Sequence, residues 1–260
     1  MKVTIFSSNQ PRHLNLARRF SLISDEVFFI SEVNTVFPGQ VDDFYKKSGV
    51  MQSYFEKVIS AEKKFFGDIG FLPQNVSSLA IKEGDLSKID RPILKDALNS
   101  DFYIVFGASF IKGWLIDFLI QKKAINIHMG ISPYYRGSSC NFWALYDNNP
   151  TYVGATIHLL SKGLDSGDIL FHCIPKIRSG ESSFDFTMRS VVVAHEGLIS
   201  AIQDRKIFSS ETFKQDKSRE IRYTKNQDFT DQIANEFLER DFNLVPDSLS
   251  YPELYNPIFD

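Results

Sequence analysis

Three polar residues interrupt otherwise apolar stretches of this sequence, and their side chains are suited to acyl transfer. Asn126 and His128 are two positions apart in an apolar run, so on a strand their side chains leave the same face. Asp165 lies between Gly163 and Gly167, where small neighbours let the backbone approach a ligand. An amide can donate to a developing oxyanion, and an imidazole and a carboxylate can move protons. The three side chains are therefore candidates for a reaction centre.

The elements that must position these residues alternate between strand and helix. Phe102–Phe106 and Ala124–His128 are apolar runs typical of buried strands, and Lys112–Lys122 between them has the pattern of a helix. Such a unit predicts an α/β, Rossmann-like fold with a mostly parallel sheet and helices on both faces. In these sheets ligands bind in the crevice at the carboxyl ends of the strands, where His128 would lie.

The pattern changes after about Ser209. We predict a catalytic domain over residues 1–208 and a short C-terminal appendage over residues 209–260. The polar stretch Phe213–Tyr223 is compatible with a hairpin, and a short helix is expected near Phe229–Arg240, followed by a tail.

Composition narrows the class of protein. The chain has 260 residues and a formal net charge of -3, which gives no electrostatic reason to expect a nucleic-acid partner. Two cysteines are too few for a disulfide framework. The N-terminal apolar stretch is only a few residues long, which predicts a first strand and neither a signal peptide nor a membrane helix. We expect a cytoplasmic protein without a membrane partner.

Other histidines and cysteines were considered as metal ligands or nucleophiles. His158, His172 and Cys173 lack the CxxC or HxxxH spacing of metal sites, so no metal site is predicted. Cys140 lies near the predicted start of a helix, where the pKa of a thiol can fall, but a small buried residue is the favoured interpretation.

The stretch from residue 124 to residue 170 contains several motifs in a fixed order. They are Asn126-Ile127-His128, Arg136-Gly137, Trp143-Ala144, Gly154-Ala155-Thr156-Ile157 and Leu164-Asp165-Ser166-Gly167-Asp168-Ile169-Leu170. In this order and spacing the stretch resembles the 10-formyltetrahydrofolate-dependent transformylases, which include glycinamide ribonucleotide, methionyl-tRNA and nucleotide-sugar formyltransferases. Two departures are Ser166 in place of Thr and Met129–Pro133, where the family often has Pro and Leu-Leu-Pro.

The resemblance implies that Asn126, His128 and Asp165 are the catalytic residues and that 10-formyltetrahydrofolate is the co-substrate. Asn126 would donate a hydrogen bond to the oxyanion. His128 would either stabilise the oxyanion as imidazolium or help to remove the proton of the amine. Asp165 would orient His128 and receive a proton through water, and the roles of His128 and Asp165 are interchangeable at this stage.

The resemblance also places two binding regions. Main-chain groups of the loop after the preceding strand and of the turn around Asp165 would hold the folate, at Phe106, Gly107, Ser109, Phe110, Ile111, Leu160, Gly163 and Leu164. The turn after the first strand and the Arg-Gly loop would contact the amine substrate, at Ser8, Asn9, Arg12, His13, Arg136 and Gly137. Arg12 and His13 open the first helix, a position suited to an anion, although surface capping is an equal alternative.

The acceptor is chosen by comparing the family's members. Residues 209–260 are neither basic nor long enough for a tRNA-binding domain, and the Gly-rich phosphate loop of glycinamide ribonucleotide transformylases is absent. The sequence is most similar to nucleotide-sugar formyltransferases. We expect a homodimer that formylates an amino sugar, for example a dTDP-linked 4-amino-4,6-dideoxyhexose for surface polysaccharide such as O-antigen. Alternatives are another small amine such as glycinamide ribonucleotide, hydrolysis of formyltetrahydrofolate, or a non-catalytic folate- or nucleotide-binding protein.

Overall fold

A sheet of eight strands forms the centre of the computed structural model, which describes residues 1–33, 44–205, 207, 211–240, 242, 244 and 250–260. The strands described, numbered along the chain, are β1 (Lys2–Ser8), β2 (Glu26–Val33), β3 (Val76–Lys82), β4 (Phe102–Phe106), β5 (Ile125–His128), β6 (Tyr135–Gly137), β7 (Ala155–Leu159), β8 (Ile169–Ile174), β9 (Arg222–Thr224) and β10 (Ile258–Phe259). Their order across the sheet is β10-β8-β7-β5-β4-β1-β2-β3. Neighbouring strands are parallel except at β7, which runs antiparallel to β5 and β8. The predicted mostly parallel sheet is confirmed.

Helices cover both faces of this sheet. The α-helices described are α1 (Pro11–Ser21), α2 (Gly49–Phe66), α3 (Gly113–Gln121), α4 (Cys140–Tyr146), α5 (Ser183–Gln203) and α6 (Asp231–Glu239). Leu16 and Phe20 of α1 and Leu198 of α5 are buried against one face. Leu115 and Leu119 of α3 are buried against the other. Because both faces are covered, central strands such as β4 read as continuous apolar runs.

The strand β5 carries two polar residues, Asn126 and His128, which alternate with isoleucines. It pairs with β4 on one side and with β7 on the other. Its residues Asn126 and His128 are 9% and 7% exposed, so both polar side chains need partners within the protein. The carboxyl end of β5 therefore combines burial with hydrogen-bonding groups, as a crevice for a ligand requires.

The predicted hairpin over Phe213–Tyr223 is wrong. Phe213 forms an antiparallel bridge with Ile169, whereas β9 pairs in parallel with β6. The two ends of this segment therefore extend two different strands and do not pair with each other. Both β6 and β8 offer backbone groups that need partners, and the segment supplies them.

The C-terminal helix packs into the same body as the strands. The predicted helix near Phe229–Arg240 is observed as α6, and its residue Phe237 is 3% exposed. Phe237 lies 4.6 Å, ring centre to ring centre, from Phe142 of α4. The boundary predicted between residues 208 and 209 lies outside the described residues, and the two-domain division stays a prediction.

The longest described helix, α5, carries polar side chains into the core. His195 is fully buried, and no described residue accepts from or donates to either ring nitrogen. Its ring lies 5.3 Å from that of Phe106 and 6.0 Å from that of Phe66. Neither α5 nor any other helix in the described ranges is long and apolar enough to cross a membrane.

This histidine should make the fold sensitive to acid. Burial, together with the positive charges of Arg19 and Arg12, lowers the pKa of His195 from 6.5 to about 3. His195 is therefore protonated below about pH 6.5 in the unfolded chain but only below about pH 3 in the folded chain. The free energy of unfolding accordingly decreases as the pH falls from 6.5 towards 3. At about pH 4.5 the loss from this residue is about 3 kcal/mol. In urea unfolding, His195→Phe should lose less stability than the wild type between about pH 7 and about pH 4.5; equal losses would contradict the assignment.

Candidate active site

Three side chains converge at the carboxyl end of β5. His128 Nδ1 lies 3.3 Å from Asp165 Oδ2, and Asn126 Nδ2 donates a hydrogen bond to Asp165 Oδ1 at 3.1 Å. Asn126 and His128 share a face because they are two positions apart on a strand. Asp165 reaches them from the turn between β7 and β8, with a left-handed φ of 43°. The structure thus brings together the three predicted catalytic residues.

The imidazole and the carboxylate shift each other's pKa in opposite directions. Burial alone would lower the pKa of His128, but the Asp165 carboxylate, helped by the Cys140 sulfur, raises it well above its ordinary value. Burial alone would raise the pKa of Asp165, but the charge of His128 and its hydrogen bond lower it below its ordinary value. At neutral pH the site therefore holds an imidazolium beside a carboxylate.

The amide of Asn126 is held by a second histidine. His158 Nδ1 donates to the carbonyl of Leu159 at 2.8 Å, which leaves Nε2 as the nitrogen that can accept. Asn126 Nδ2 donates to that Nε2 at 2.9 Å. Both N–H groups of the Asn126 amide are thus directed at protein partners, His158 and Asp165. To donate to a substrate oxygen, Asn126 must exchange one of these hydrogen bonds.

The other ring nitrogen of His128 faces a thiol. Cys140 Sγ lies 3.5 Å from His128 Nε2 and 3.5 Å from the carbonyl oxygen of Gly137. A Cβ atom at Gly130 would lie 2.4 Å from Cys140 Cβ and 2.9 Å from His128 Nε2, so only glycine lets the loop after β5 pack here. Cys140 is buried, as the favoured interpretation held, but it also contacts His128.

Arg136 supports the turn that carries Asp165. Its Nη2 donates to the carbonyl of Leu164 at 3.3 Å, and its Nη1 pairs with Glu220 Oε2 at 3.0 Å. Gly137 has a φ of 91°, and a Cβ there would lie 1.9 Å from the carbonyl oxygen of Thr224. Arg136 and Gly137, two of the residues predicted to contact the amine substrate, therefore both pack against other segments of the protein. Their contact with the substrate stays a prediction.

The loop predicted to hold the folate follows β4. Gly107 has a φ of 66°, and a Cβ there would lie 2.5 Å from His13 Nε2. Ser109 donates from its N and its Oγ to the buried carboxylate of Glu32, at 2.6 and 2.8 Å. Phe110 is 49% exposed, whereas Phe106 and Ile111 are buried.

The second predicted folate segment follows β7. Leu160 N donates to the carbonyl of Ala124 at 2.7 Å, which places it beside the start of β5. Leu164 is 48% exposed, and Gly163 packs against Ser166 Oγ. The two predicted folate segments thus lie on the two sides of β5, and their role in binding stays a prediction.

The turn after β1 is engaged with α2. The Arg12 backbone N and its Nη1 donate to Glu62 Oε1 at 3.1 and 2.7 Å, and the Glu62 side chain is 4% exposed. His13 is buried, and burial, together with the charge of Arg12, holds its pKa well below its ordinary value. Ser8 is buried, and Asn9 Oδ1 has no hydrogen-bond partner among the described residues. The anion position at the start of α1 is thus filled by the protein's own carboxylate.

Two of the residues considered as metal ligands, His172 and Cys173, are buried in β8. His172 Nε2 donates to the carbonyl of Ser132 at 3.0 Å and its Nδ1 accepts from Tyr255 N at 2.9 Å, and its pKa is lowered to about 4, chiefly by burial. Cys173 is buried, which raises the pKa of its thiol. Within the part of the chain that the structure describes, no three His, Cys, Asp or Glu residues form a metal cluster.

Sequence reasoning missed the supporting residues. His158 was weighed only as a metal ligand, yet it pairs directly opposite Asn126 in the register of β7 and β5. A polar residue in the apolar strand next to a polar pair was the available signal. Glu32 offered a comparable signal, because it is a carboxylate at the end of a buried strand.

Comparison with known proteins identifies relatives of this arrangement. The family model described as formyl transferase matches residues 27–202, which include Asn126, His128 and Asp165. The methionyl-tRNA formyltransferase of Anaeromyxobacter sp. (strain K) is 28% identical over 123 residues, 47% of this chain and 38% of that protein. The chain thus spans well under half the length of the first curated relatives it matches.

Solved structures with a similar fold cover more of the chain. A 4-N formyltransferase from Francisella tularensis has a TM-score of 0.53 at 18% identity, covering 87% of this chain and 77% of that one. A sugar N-formyltransferase from a Shewanella species has a TM-score of 0.52 at 18% identity, covering 88% and 78%. At this identity the likeness is one of fold.

Proposed function

Because the chain belongs to the formyl transferase family, we propose that it transfers a formyl group from 10-formyltetrahydrofolate to the amine of a nucleotide-linked amino sugar. The observation that carries the proposal is the cluster of Asn126, His128 and Asp165 at the end of β5, inside the matched region. The donor set fits the reaction, since it offers N–H groups for a carbonyl oxygen and a carboxylate for a proton. The bound folate would supply the activated formyl group.

The pKa directions favour one of the two role assignments left open by the sequence. With the pKa of His128 raised, its ring is an imidazolium at neutral pH and can stabilise negative charge on the formyl oxygen. Asp165, ionised and hydrogen-bonded to Asn126, holds that imidazolium. Because its lowered pKa makes it a weak base, it would only relay the proton of the attacking amine, through water, to the nitrogen of the departing tetrahydrofolate. Asn126 would turn one N–H from Asp165 to the formyl oxygen when the substrates bind.

The formal net charge of -3 bears on the choice of acceptor, because it gives no long-range attraction for tRNA. Arg12 is paired with the buried Glu62, so its charge is not free for a phosphate at the turn after β1, either of glycinamide ribonucleotide or of a nucleotide carrier. The choice of a nucleotide-linked sugar over glycinamide ribonucleotide therefore rests on the resemblance of the sequence. A dTDP-linked 4-amino-4,6-dideoxyhexose for surface polysaccharide, a homodimeric state and a cytoplasmic location stay predictions.

An acceptor panel tests this choice. The purified protein would be incubated with 10-formyltetrahydrofolate and, separately, dTDP- and UDP-linked amino sugars, glycinamide ribonucleotide and methionyl-tRNA. We expect formylation of at least one nucleotide-linked amino sugar and of neither other acceptor. Formylation of glycinamide ribonucleotide or methionyl-tRNA alone would contradict the sugar assignment.

Replacing Asn126 with alanine should lower kcat about 10²- to 10³-fold, because one donor to the developing oxyanion is lost. Steady-state rates and circular dichroism would separate this effect from misfolding. Asn149→Ala is the control, since the side-chain amide of Asn149 likewise donates to a side chain of the protein, the Tyr135 hydroxyl at 2.8 Å, but lies outside the cluster. Comparable rates in Asn126→Ala and the control would rule out a catalytic amide.

A further inference from the structure

The turn that carries Asp165 is held from outside by residues 213–224, here named the C-terminal strap. On one side, Gln215 Nε2 donates to the carbonyl of Gly167 at 2.8 Å. Next to it, Phe213 and Ile169 exchange two backbone hydrogen bonds of 2.9 and 2.7 Å. These contacts fix the point at which the turn joins β8.

On the other side, the strap acts through Arg136. Glu220 of the strap pairs with Arg136 Nη1, and Arg136 Nη2 donates to the carbonyl of Leu164, the residue before Asp165. The guanidinium carbon also lies 6.0 Å from the centre of the Tyr223 ring. The Arg136 side chain is 11% exposed, so its charge is held in place and not free in solvent.

The strap itself is attached to the strand β6. β9 pairs in register with β6, and Ser138 N donates to the carbonyl of Thr224 at 3.0 Å. Arg222 donates two hydrogen bonds, of 2.8 and 2.7 Å, to the Asp147 carboxylate, and its guanidinium lies 4.7 Å from the centre of the Trp143 ring. The strap is therefore anchored independently of the turn and can act as a fixed support.

We infer that Gln215 and Arg136 are positioning residues that hold the Asp165 carboxylate against His128. They do so through their hydrogen bonds to the backbone carbonyl groups of Gly167 and Leu164, on the two sides of Asp165. The inference deepens the proposed function and rests on it, because it gives residues 213–224 a part in catalysis. The turn needs such support, since Leu164 is 48% exposed and Asp165 has a left-handed φ. A small displacement of the carboxylate would separate the pair of charges that defines the site.

Two variants test this positioning role. Gln215→Met keeps the length and neutral charge of the side chain but removes the donor to Gly167. Arg136→Lys keeps the charge beside Glu220 but lacks the planar fork that also reaches Leu164. We expect each to lower kcat about tenfold with little change in KM. Gln232→Met is the matched control, since Gln232 donates to Glu236 at 2.9 Å on α6, away from the turn.

The deciding readout does not depend on substrate. His128 faces Asp165 from the turn and Cys140 from α4, and His158 of β7 contacts Asp165. If Asp165 moves away, the pKa of His128 falls, so its C2–H resonance titrates at lower pH. A His128→Gln spectrum identifies the His128 resonance among those of the five histidines of the chain. We expect this downward shift in Gln215→Met and Arg136→Lys but not in Gln232→Met.

The results separate the two ideas. Unchanged titration of His128 in both Gln215→Met and Arg136→Lys, or an equal shift in Gln232→Met, would overturn the positioning role whether or not formyl transfer is found. A shift confined to Gln215→Met and Arg136→Lys supports that role. If the wild type formylates no acceptor while these shifts occur, the proposed function fails and the role of the strap stands.

Discussion

His128→Gln should lower the rate of formyl transfer by about 10²- to 10⁴-fold while the fold is retained. Glutamine can still donate a hydrogen bond, but it carries no positive charge beside Asp165. The structure places that charge between the carboxylate, 3.3 Å away, and the thiol of Cys140. Stopped-flow or steady-state measurement of tetrahydrofolate release with a saturating acceptor gives the rate.

The matched control is His172→Gln. His172 is also buried and also fixed by two hydrogen bonds, to Ser132 and Tyr255, but it lies outside the cluster. Its replacement should lower the melting temperature without lowering kcat of the folded enzyme by more than a few-fold. If His128→Gln behaved like His172→Gln, with stability lost and kcat kept, His128 would be a structural histidine.

Asp165→Asn should lower kcat by about 10²- to 10³-fold and also change the pH dependence. The carboxylate raises the pKa of His128, so activity that needs the imidazolium is present at lower pH and lost as the pH rises through that pKa. Without the carboxylate the pKa of His128 falls. The alkaline limb of the pH profile of kcat should therefore move to lower pH in the variant.

Asp168→Asn is the control for this prediction, because Asp168 lies in the same segment three residues further on. Its backbone carbonyl accepts from Leu159 N at 2.9 Å, and its side chain takes no part in the cluster around His128. We expect a wild-type pH profile from it. An alkaline limb that stays in place in Asp165→Asn would show that the carboxylate does not hold the imidazolium.

Local periodicity predicted the part of the fold that carries the site. The strand Phe102–Phe106, the following helix and the strand ending at His128 follow one another as regular, largely apolar segments, so their type and order follow from the pattern. The pairing of Arg222–Thr224 with Tyr135–Gly137 does not follow from it. Both strands are three residues long and carry polar side chains, and their partners are far apart in the chain, so local propensity holds no record of the contact.

The candidate site was likewise predicted only in part. Asn126, His128 and Asp165 were found because their types and spacing form a motif. The positioning role proposed for Arg136 was not predicted. A basic residue in a loop suggests an anion-binding site until its partners Glu220 and Leu164 are known. His158 was missed for the same reason, since only the register of β7 against β5 places it beside Asn126.

Formyl transfer by this cluster is tested most directly by following a labelled formyl group. The wild-type protein and His128→Gln would be mixed in excess over 10-[¹³C]formyltetrahydrofolate, with and without a dTDP- or UDP-linked amino sugar, and the products analysed by NMR and mass spectrometry. We predict that the wild type moves the label to the nitrogen of the sugar, needs the acceptor to do so, and loses this activity in His128→Gln. Label released as formate at the same rate without acceptor would identify a hydrolase and contradict the proposal, as would equal transfer by both proteins.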